Sequence, residues 1–338
     1  MAATHAVPRN PAARRPPVVP RESPAGFRCV LDEQPSFLVP QRLLAPRHAR
    51  GGKTPLLVNP HVWFSWSGPA PAEIVPWLGL TADVPPDWGA AWVSDPVTGS
   101  LLPFHLMPAT RAVLERAAPG SLAPAGIDAR LLDLLRDARI LISPAAQKKR
   151  QAAWDAAIER ASRQFQLGYA PLAGLIHPFH IAALRRHFRR QIRTGALKFG
   201  DEQSPLRHVV HNEPVARFFH HQLAPAFSRV AGVSLKPSYV YSASYQGAAQ
   251  LERHRDRPQC DFSITFCLDY TPEPDGATHW PILLDAPAGR VTVYQAIGDA
   301  LLYRGCRLPH YRHPLWKDAT STSMFFHYVR HDFRGKLN

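Results

Sequence analysis

The chain has 338 residues, enough for one large domain and a smaller one, each with a buried core. Its formal net charge of +14 would suit nucleic acid, but the basic residues are spread along the chain, so we do not expect a nucleic-acid partner. We find no apolar run long enough to cross a bilayer, no secretory signal and no zinc-type cysteine spacing, which favours a cytoplasmic protein.

Residues 1–25 are rich in Pro, Ala and Arg and show no apolar periodicity, so they are predicted to form a disordered tail. An accessory α/β domain is predicted over 26–145, either winged-helix-like or concerned with substrate recognition. A strand is expected around Ser36–Val39. Trp63, Trp66 and Trp77 lie close together in the sequence and predict a core cluster under a loop, the alternative being an aromatic surface for a partner or substrate.

Within the accessory domain, hydrophobic periodicity predicts three elements. LLVNPHVWFSW is expected to form a strand, TRAVLERAA a helix, and RLLDLLRDARILI a helix that runs into a strand. Pro and Gly separate these segments.

The remainder, 146–338, is predicted to be a second domain that begins with helices and ends with strands. Apolar residues recur every three or four positions through 145–195, which predicts two helices separated by a break at 168–178. A third helix is predicted over 214–230, with Pro225 expected to kink or split it. The basic run RRHFRRQIR at 185–193 is interpreted as a solvated helix face.

From Lys236 onward, short runs of β-branched and aromatic residues alternate with turns, which predicts a barrel or sandwich of strands. The predicted strands are PSYVYSASY, CDFSITFCLDY, ILLDA, RVTVYQ, DALLYRG and TSMFFHYV.

A His-x-Asp pair, His254 and Asp256, precedes one of these strands, and His310 follows 56 residues after His254. Residues i and i+2 of a strand point to the same side, so both members of the pair can face one ion. Two histidines and one carboxylate are the ligands of a facial triad, which holds non-haem Fe(II) and leaves positions open. His313 is the alternative to His310 as the distal ligand.

The segment from about Tyr169 to Tyr328 resembles the prolyl-4-hydroxylase-like Fe(II)/2-oxoglutarate-dependent oxygenases. The resemblance is carried by YSASYQGAAQLERHRD, DFSITFCLDY, GDALLYRG, and LPHYRHPL followed by STSMFFHYV. It implies an α+β fold with a double-stranded β-helix, or jelly-roll, core and packed helices. It also implies Fe(II) held by His254, Asp256 and His310, 2-oxoglutarate as cosubstrate, and hydroxylation of an unactivated C–H bond. A carboxylate at Asp256 favours hydroxylation over halogenation.

The sequence departs from the family where a basic residue normally binds the far carboxylate of 2-oxoglutarate. About ten residues after His310 stand Thr320 and Ser321. Either another cation takes this role, or hydroxyl groups do, or the enzyme uses iron without 2-oxoglutarate. The candidate cations are Lys317, Arg312, Arg290 and Arg330, and the candidate hydroxyl groups are those of Thr320, Ser321, Tyr239, Tyr241 and Tyr245.

Arg257 and Arg312 are candidate substrate contacts, although an ion pair of Arg257 with Asp261 is the simpler interpretation. The substrate is expected to be an amino acid, a peptidyl side chain or a specialised metabolite. Three alternatives stay open at this point: an iron-dependent oxygenase that does not use 2-oxoglutarate, a nucleic-acid demethylase, and a non-catalytic binding module on the same fold.

Overall fold

The computed structural model describes residues 27–33, 38–43, 55–66 and 87–337. The tail predicted over 1–25, the first half of the strand predicted at Ser36–Val39, and Trp77 lie outside the described residues. Leu38 and Val39 form a turn and a bend rather than a strand. Of the described helices, none combines the length and the apolar composition that a bilayer span requires.

Five α-helices occur in the described part of the chain, and four of them begin with proline, whose missing N–H costs nothing in the first turn. The helices are α1 Pro108–Leu114, α2 Ala129–Asp137, α3 Pro144–Phe165, α4 Pro178–Arg193 and α5 Pro214–Ala231. All the predicted helices are therefore present. Pro225 does not split α5, which continues to a left-handed Gly232 with a φ of 67°.

Sixteen strands occur in the same residues, and each of the six runs predicted after Lys236 overlaps one of them. The strands are β1 Leu57–Val58, β2 Val62–Ser65, β3 Gly89–Asp95, β4 Ser100–Leu106, β5 Leu141–Ile142, β6 Tyr169–Leu172, β7 Lys198–Phe199, β8 Arg207–His211, β9 Leu235–Tyr245, β10 Leu251–His254, β11 Phe262–Thr271, β12 Ile282–Ala286, β13 Gly289–Val293, β14 Ala300–Tyr303, β15 His310–Arg312 and β16 Thr320–Arg330.

Two antiparallel sheets form the core of the second half of the chain. The larger has the order β6-β14-β11-β16-β9-β8-β7, and the smaller has the order β10-β15-β12-β13. From β9 to β16 the chain passes back and forth between the sheets, because β9, β11, β14 and β16 belong to the larger and β10, β12, β13 and β15 to the smaller. This alternation is the topology of a double-stranded β-helix, so the predicted jelly-roll core with helices is confirmed.

The described N-terminal residues form a small sheet, β2-β3-β4, that packs against helices of the second half. The ring of Phe104 lies 4.9 Å from that of His180 and 6.4 Å from that of Phe179, both on α4. The backbone N–H of Leu101 donates to the side chain of Gln222 on α5. One buried apolar cluster includes side chains from both sides of the predicted boundary at 145–146. The division into two domains stays a prediction.

The basic run on α4 is only partly solvated. Arg185 is 1% exposed and donates to Asp269 at 2.9 Å and to Glu273 at 2.5 Å. Arg189 donates to the same Asp269 at 2.6 Å. The prediction of a solvated face was therefore wrong at Arg185, because an acidic partner from β11 allows this cation to be buried.

Three histidines between the sheets and the helices are buried in their neutral form. His105 on β4, His180 on α4 and His220 on α5 are each at most 2% exposed. His180 donates from Nε2 to the carbonyl of Pro103 at 2.8 Å, and His220 donates likewise to that of His327 at 2.9 Å. Burial, which disfavours the imidazolium ion, lowers the pKa of His105 and of His180 to about 4 and that of His220 to about 3.

We expect these three histidines to make the fold sensitive to mild acid. Below a pH of about 6.5 the unfolded chain binds protons that the folded protein does not, so stability is constant above that pH and falls as the pH drops towards 4. Between pH 6.5 and 5.5 each of the three should lower the free energy of unfolding by about 1.4 kcal/mol, together about 4 kcal/mol, as measured by urea denaturation. The buried His177 and His327, whose pKa values are also lowered, add to this loss. His180→Gln keeps an N–H for the Pro103 carbonyl and should reduce the total loss by about 1.4 kcal/mol. An unchanged loss in that variant would contradict the assignment.

Candidate metal centre

Three side chains meet where the smaller sheet faces the larger. His254 is the last residue of β10 and pairs across the strands with His310, the first residue of β15. Asp256 lies two residues beyond the end of β10, where its backbone N–H donates to the carbonyl of Gly305 at 3.0 Å. The expectation that a continuous strand aligns His254 with Asp256 was therefore wrong, since the loop after β10 turns the carboxylate towards the histidines.

The ligand atoms of the three residues lie within 4.8 Å of one another. Nε2 of His254 is 3.7 Å, and Nε2 of His310 is 3.6 Å, from the same oxygen of Asp256, Oδ1. The two imidazole centroids are 4.3 Å apart. His313, the alternative distal histidine, is exposed and packs against the ring of Tyr311, outside this group.

The hydrogen bonds around the group fix which nitrogen of each imidazole faces its centre. Nδ1 of His254 lies 2.7 Å from the carbonyl of Glu252, and Nδ1 of His310 lies 3.0 Å from that of Leu308. Because a carbonyl only accepts, each Nδ1 carries the hydrogen and each Nε2 presents a lone pair. Burial lowers the pKa of His310, although the Asp256 carboxylate opposes this, so its neutral form is favoured.

The carboxylate of Asp256 is oriented in a similar way. The hydroxyl of Ser263 on β11 donates to Oδ2 at 2.5 Å, which leaves Oδ1 facing the two histidines. Two imidazole lone pairs and one carboxylate oxygen, each positioned by a further hydrogen bond, form a donor set that suits a divalent transition-metal ion such as Fe(II). The residues therefore fit the metal that the sequence resemblance implies.

A second group around Asp256 was missed from the sequence. Sγ of Cys260 and a ring nitrogen of His327 also lie within 4.8 Å of the Asp256 carboxylate and of each other. His327 contacts the Ser263 hydroxyl through Nδ1 at 3.0 Å, and Cys260 contacts the hydroxyl of Tyr239 at 2.9 Å. The available signal was the alternation along β16, which places every second side chain from Ser321 to His327 on one face.

The predicted cosubstrate residues do not all lie together. Tyr241 and Tyr245 line the cleft in front of the histidines. Ser321 is buried and pairs with Tyr245 on one side of β16, whereas Thr320 is half-buried. Lys317 is exposed in the turn before β16 and does not line this cleft.

The two candidate substrate arginines occupy different environments. Arg257 lines the cleft with its guanidinium 4.9 Å from the ring centroid of Tyr239. Asp261, the partner expected for it, is paired with Arg304 at 2.9 Å. Arg312 is buried within the barrel, two residues along β15 from His310.

The cleft has a volume of about 540 Å³ and contains charges of both signs. Arg207 of β8 was not predicted as a site residue. It donates to the hydroxyl of Tyr245 and to the carboxylate of Asp201, both at 2.6 Å. Asp201 also accepts from the Tyr241 hydroxyl at 2.5 Å. The remaining charged residues that line the cleft, apart from Asp256, are Lys198, Glu202, Arg255 and Arg257. A polar ligand that carries charge is therefore compatible with this cleft.

No family model and no curated protein matches the chain. Solved structures that it resembles include the non-heme alpha ketoglutarate dependent epimerase SnoN from nogalamycin biosynthesis, at 16% identity and a TM-score of 0.44 over 52% of this chain and 83% of that one. A prolyl-4-hydroxylase from Pseudomonas putida matches at 16% identity and a TM-score of 0.42, over 51% of this chain and 99% of that one. HygX from Streptomyces hygroscopicus was solved with nickel, 2-oxoglutarate and hygromycin B bound. It matches at 13% identity and a TM-score of 0.42, over 52% of this chain and 88% of HygX. The chain is similar in structure to these three proteins over about half of its length.

Proposed function

We propose that this chain is a non-haem Fe(II)- and 2-oxoglutarate-dependent dioxygenase. Its reaction would be the hydroxylation of an unactivated C–H bond in an amino acid, a peptidyl side chain or a specialised metabolite. The observation that carries the proposal is the approach of two Nε2 atoms to one oxygen of Asp256, at 3.6 and 3.7 Å. Both Nδ1 atoms are taken up by backbone carbonyls, so the two Nε2 atoms and this carboxylate oxygen converge as donors for one cation.

His254, Asp256 and His310 would hold the iron in this proposal. Fe(II) with 2-oxoglutarate supplies the oxidation of a C–H bond by O₂, with succinate and CO₂ as co-products. The chain itself supplies orientation: backbone carbonyls hold both imidazoles, and Ser263 holds the carboxylate.

The cleft side chains would bind the organic substrate. Arg255 and Arg257, which are exposed and line the cleft, offer guanidinium groups to a carboxylate, and Glu202 offers an acceptor to an amine or a hydroxyl. A ligand with both kinds of group, such as an amino acid, suits this mixture better than a uniformly anionic polymer.

Succinate release tests the proposal. The protein is loaded anaerobically with Fe(II), mixed with 2-oxoglutarate and air, and assayed for succinate with and without candidate substrates. We expect succinate from the wild type and none from Asp256→Ala. Failure of the wild type to bind iron would overturn the proposal.

A second function is favoured by one observation, the hydroxyl side chains of Thr320 and Ser321 at the start of β16, where the resemblance leads us to expect a cation. An iron-dependent oxygenase that does not use 2-oxoglutarate would need no cation there. Oxygen consumption with bound iron but without succinate, whatever substrate is supplied, would favour this second function.

A further inference from the structure

One buried arginine inside the barrel has no acidic partner. Arg312 is 5% exposed, and its guanidinium donates from Nη1 to the carbonyl of Trp280 at 2.5 Å and from Nη2 to Oε1 of Gln295 at 3.2 Å. Both acceptors are neutral. No Asp or Glu in the described part of the chain forms an ion pair with Arg312, whereas the other arginines buried there, Arg185 and Arg207, each pair with an aspartate.

An unpaired cation in such a place calls for an explanation. Taking a guanidinium out of water is costly unless an anion compensates for the lost hydration, and burial accordingly lowers the pKa of Arg312. The ring of Trp280, 4.6 Å from the guanidinium, compensates only in part. The guanidinium is thus held in a defined position without a counter-ion.

The position of Arg312 connects it with the candidate metal centre. His310 and Arg312 are two residues apart on β15, so both side chains point into the barrel. The ring of Tyr303 lies 4.7 Å from that of His310, and the ring of Tyr245 lies 4.9 Å from that of Trp280. Tyr245 and Tyr303 also line the cleft, so ring contacts connect the cleft and His310 with the surroundings of Arg312.

The other candidate cations are less suitable for an interior anion. Lys317 is exposed, and the side chains of Arg290 and Arg330 are 64% and 55% exposed, close to Asp285 and Asp332 respectively. Neither these three residues nor Arg312 belongs to the lining of the cleft, so burial decides between them. Arg312 is the candidate that combines burial, the absence of a carboxylate partner among the described residues, and nearness to the histidines.

We propose that Arg312 is an interior anion site and binds the carboxylate of 2-oxoglutarate that is remote from the metal. It replaces the cation that is missing at Thr320 and Ser321. Trp280 and Gln295 hold the guanidinium in place before the ligand arrives. This inference rests on the proposed function, because the other end of the dicarboxylate has to bind at the metal centre.

Ligand binding without turnover tests this role. Protein loaded with Mn(II) in place of iron is titrated calorimetrically with 2-oxoglutarate and with 2-oxobutyrate, which has the same 2-oxo acid group but no second carboxylate. We expect the wild type to bind 2-oxoglutarate about 10- to 100-fold more tightly than 2-oxobutyrate. Arg312→Met should lose this preference, Arg312→Lys should keep part of it, and Arg253→Met, which alters an exposed arginine on the neighbouring β10, should keep all of it.

A second readout covers the case in which Arg312→Met binds nothing. Without ligand, removal of an unpaired buried charge should leave the melting temperature unchanged or raise it, while 2-oxoglutarate should no longer raise it further. If Arg312→Met instead fails to fold, the role of Arg312 is tested by comparing the preference for 2-oxoglutarate over 2-oxobutyrate in the wild type and in Arg312→Lys.

Two outcomes would overturn the inference and can be told apart. If the wild type binds Mn(II) and 2-oxoglutarate and Arg312→Met binds both equally well, the anion site lies elsewhere while the proposed function stands. If the wild type binds Mn(II) but binds the two oxo acids with equal affinity, or binds neither of them, the proposal that the protein uses 2-oxoglutarate is wrong.

Discussion

His310→Ala is expected to lose metal binding while the protein stays folded. The imidazole supplies one of three proposed ligands, and its removal leaves Asp256 and His254 alone at the end of β10. Loss of a hydrogen-bonded neighbour of a ligand typically costs about 10–100-fold in metal affinity, so loss of a ligand should cost at least about 100-fold. Equilibrium dialysis against Fe(II) under nitrogen measures this, and succinate release should fall to the background.

His313→Ala is the matched control, because it removes an exposed histidine from the segment that follows the same strand. We expect this variant to bind metal and to release succinate as the wild type does. Equal metal affinity in His310→Ala and the wild type would show that His310 is not a ligand.

Gly305→Ala is expected to weaken metal binding by displacing the carboxylate of Asp256. A Cβ at Gly305 would collide with Oδ2 of Asp256 and come within 2.5 Å of the Ser263 hydroxyl and 2.6 Å of the Cys260 carbonyl. Since a backbone carbonyl cannot move easily, the Asp256 side chain has to shift away from the position that Ser263 gives it. We expect metal affinity to fall at least about tenfold, as for the loss of an orienting neighbour.

Gly276→Ala provides the comparison for this variant, because a Cβ there meets nothing within 4 Å. The metal affinity of both variants is measured by the same dialysis, together with their melting temperatures. If Gly305→Ala lowers neither quantity, the close packing around Asp256 has no bearing on the centre.

Six of the strands from β9 onward could be predicted because their residues alternate in type and are bounded by turns, whereas the short β10 and β15, which carry His254 and His310, were not predicted. The hairpin of β3 and β4 was missed, since both strands are buried almost throughout and show no alternation. Pro103 is tolerated in β4 because β4 is an edge strand of its sheet, where the missing N–H costs no pairing.

The candidate metal ligands could be predicted from the sequence, but the residues that orient them by hydrogen bonds could not. His254, Asp256 and His310 could be selected from spacing and resemblance. Ser263 contributes through a hydroxyl that looks like any other strand residue, and its contact with Asp256 depends on how the two sheets face each other. The burial of Arg185 likewise depends on Asp269, 84 residues away along the chain.

The two carbonyls that accept from the imidazole Nδ1 atoms belong to the main chain, at Glu252 and Leu308. A side-chain substitution leaves these acceptors in place unless it moves the backbone of β10 or of the bend that precedes β15. The cleft residues in front of the histidines can therefore change during evolution while the tautomers stay as they are. Such a separation makes the orientation of the two imidazoles independent of the side chains that face the ligand.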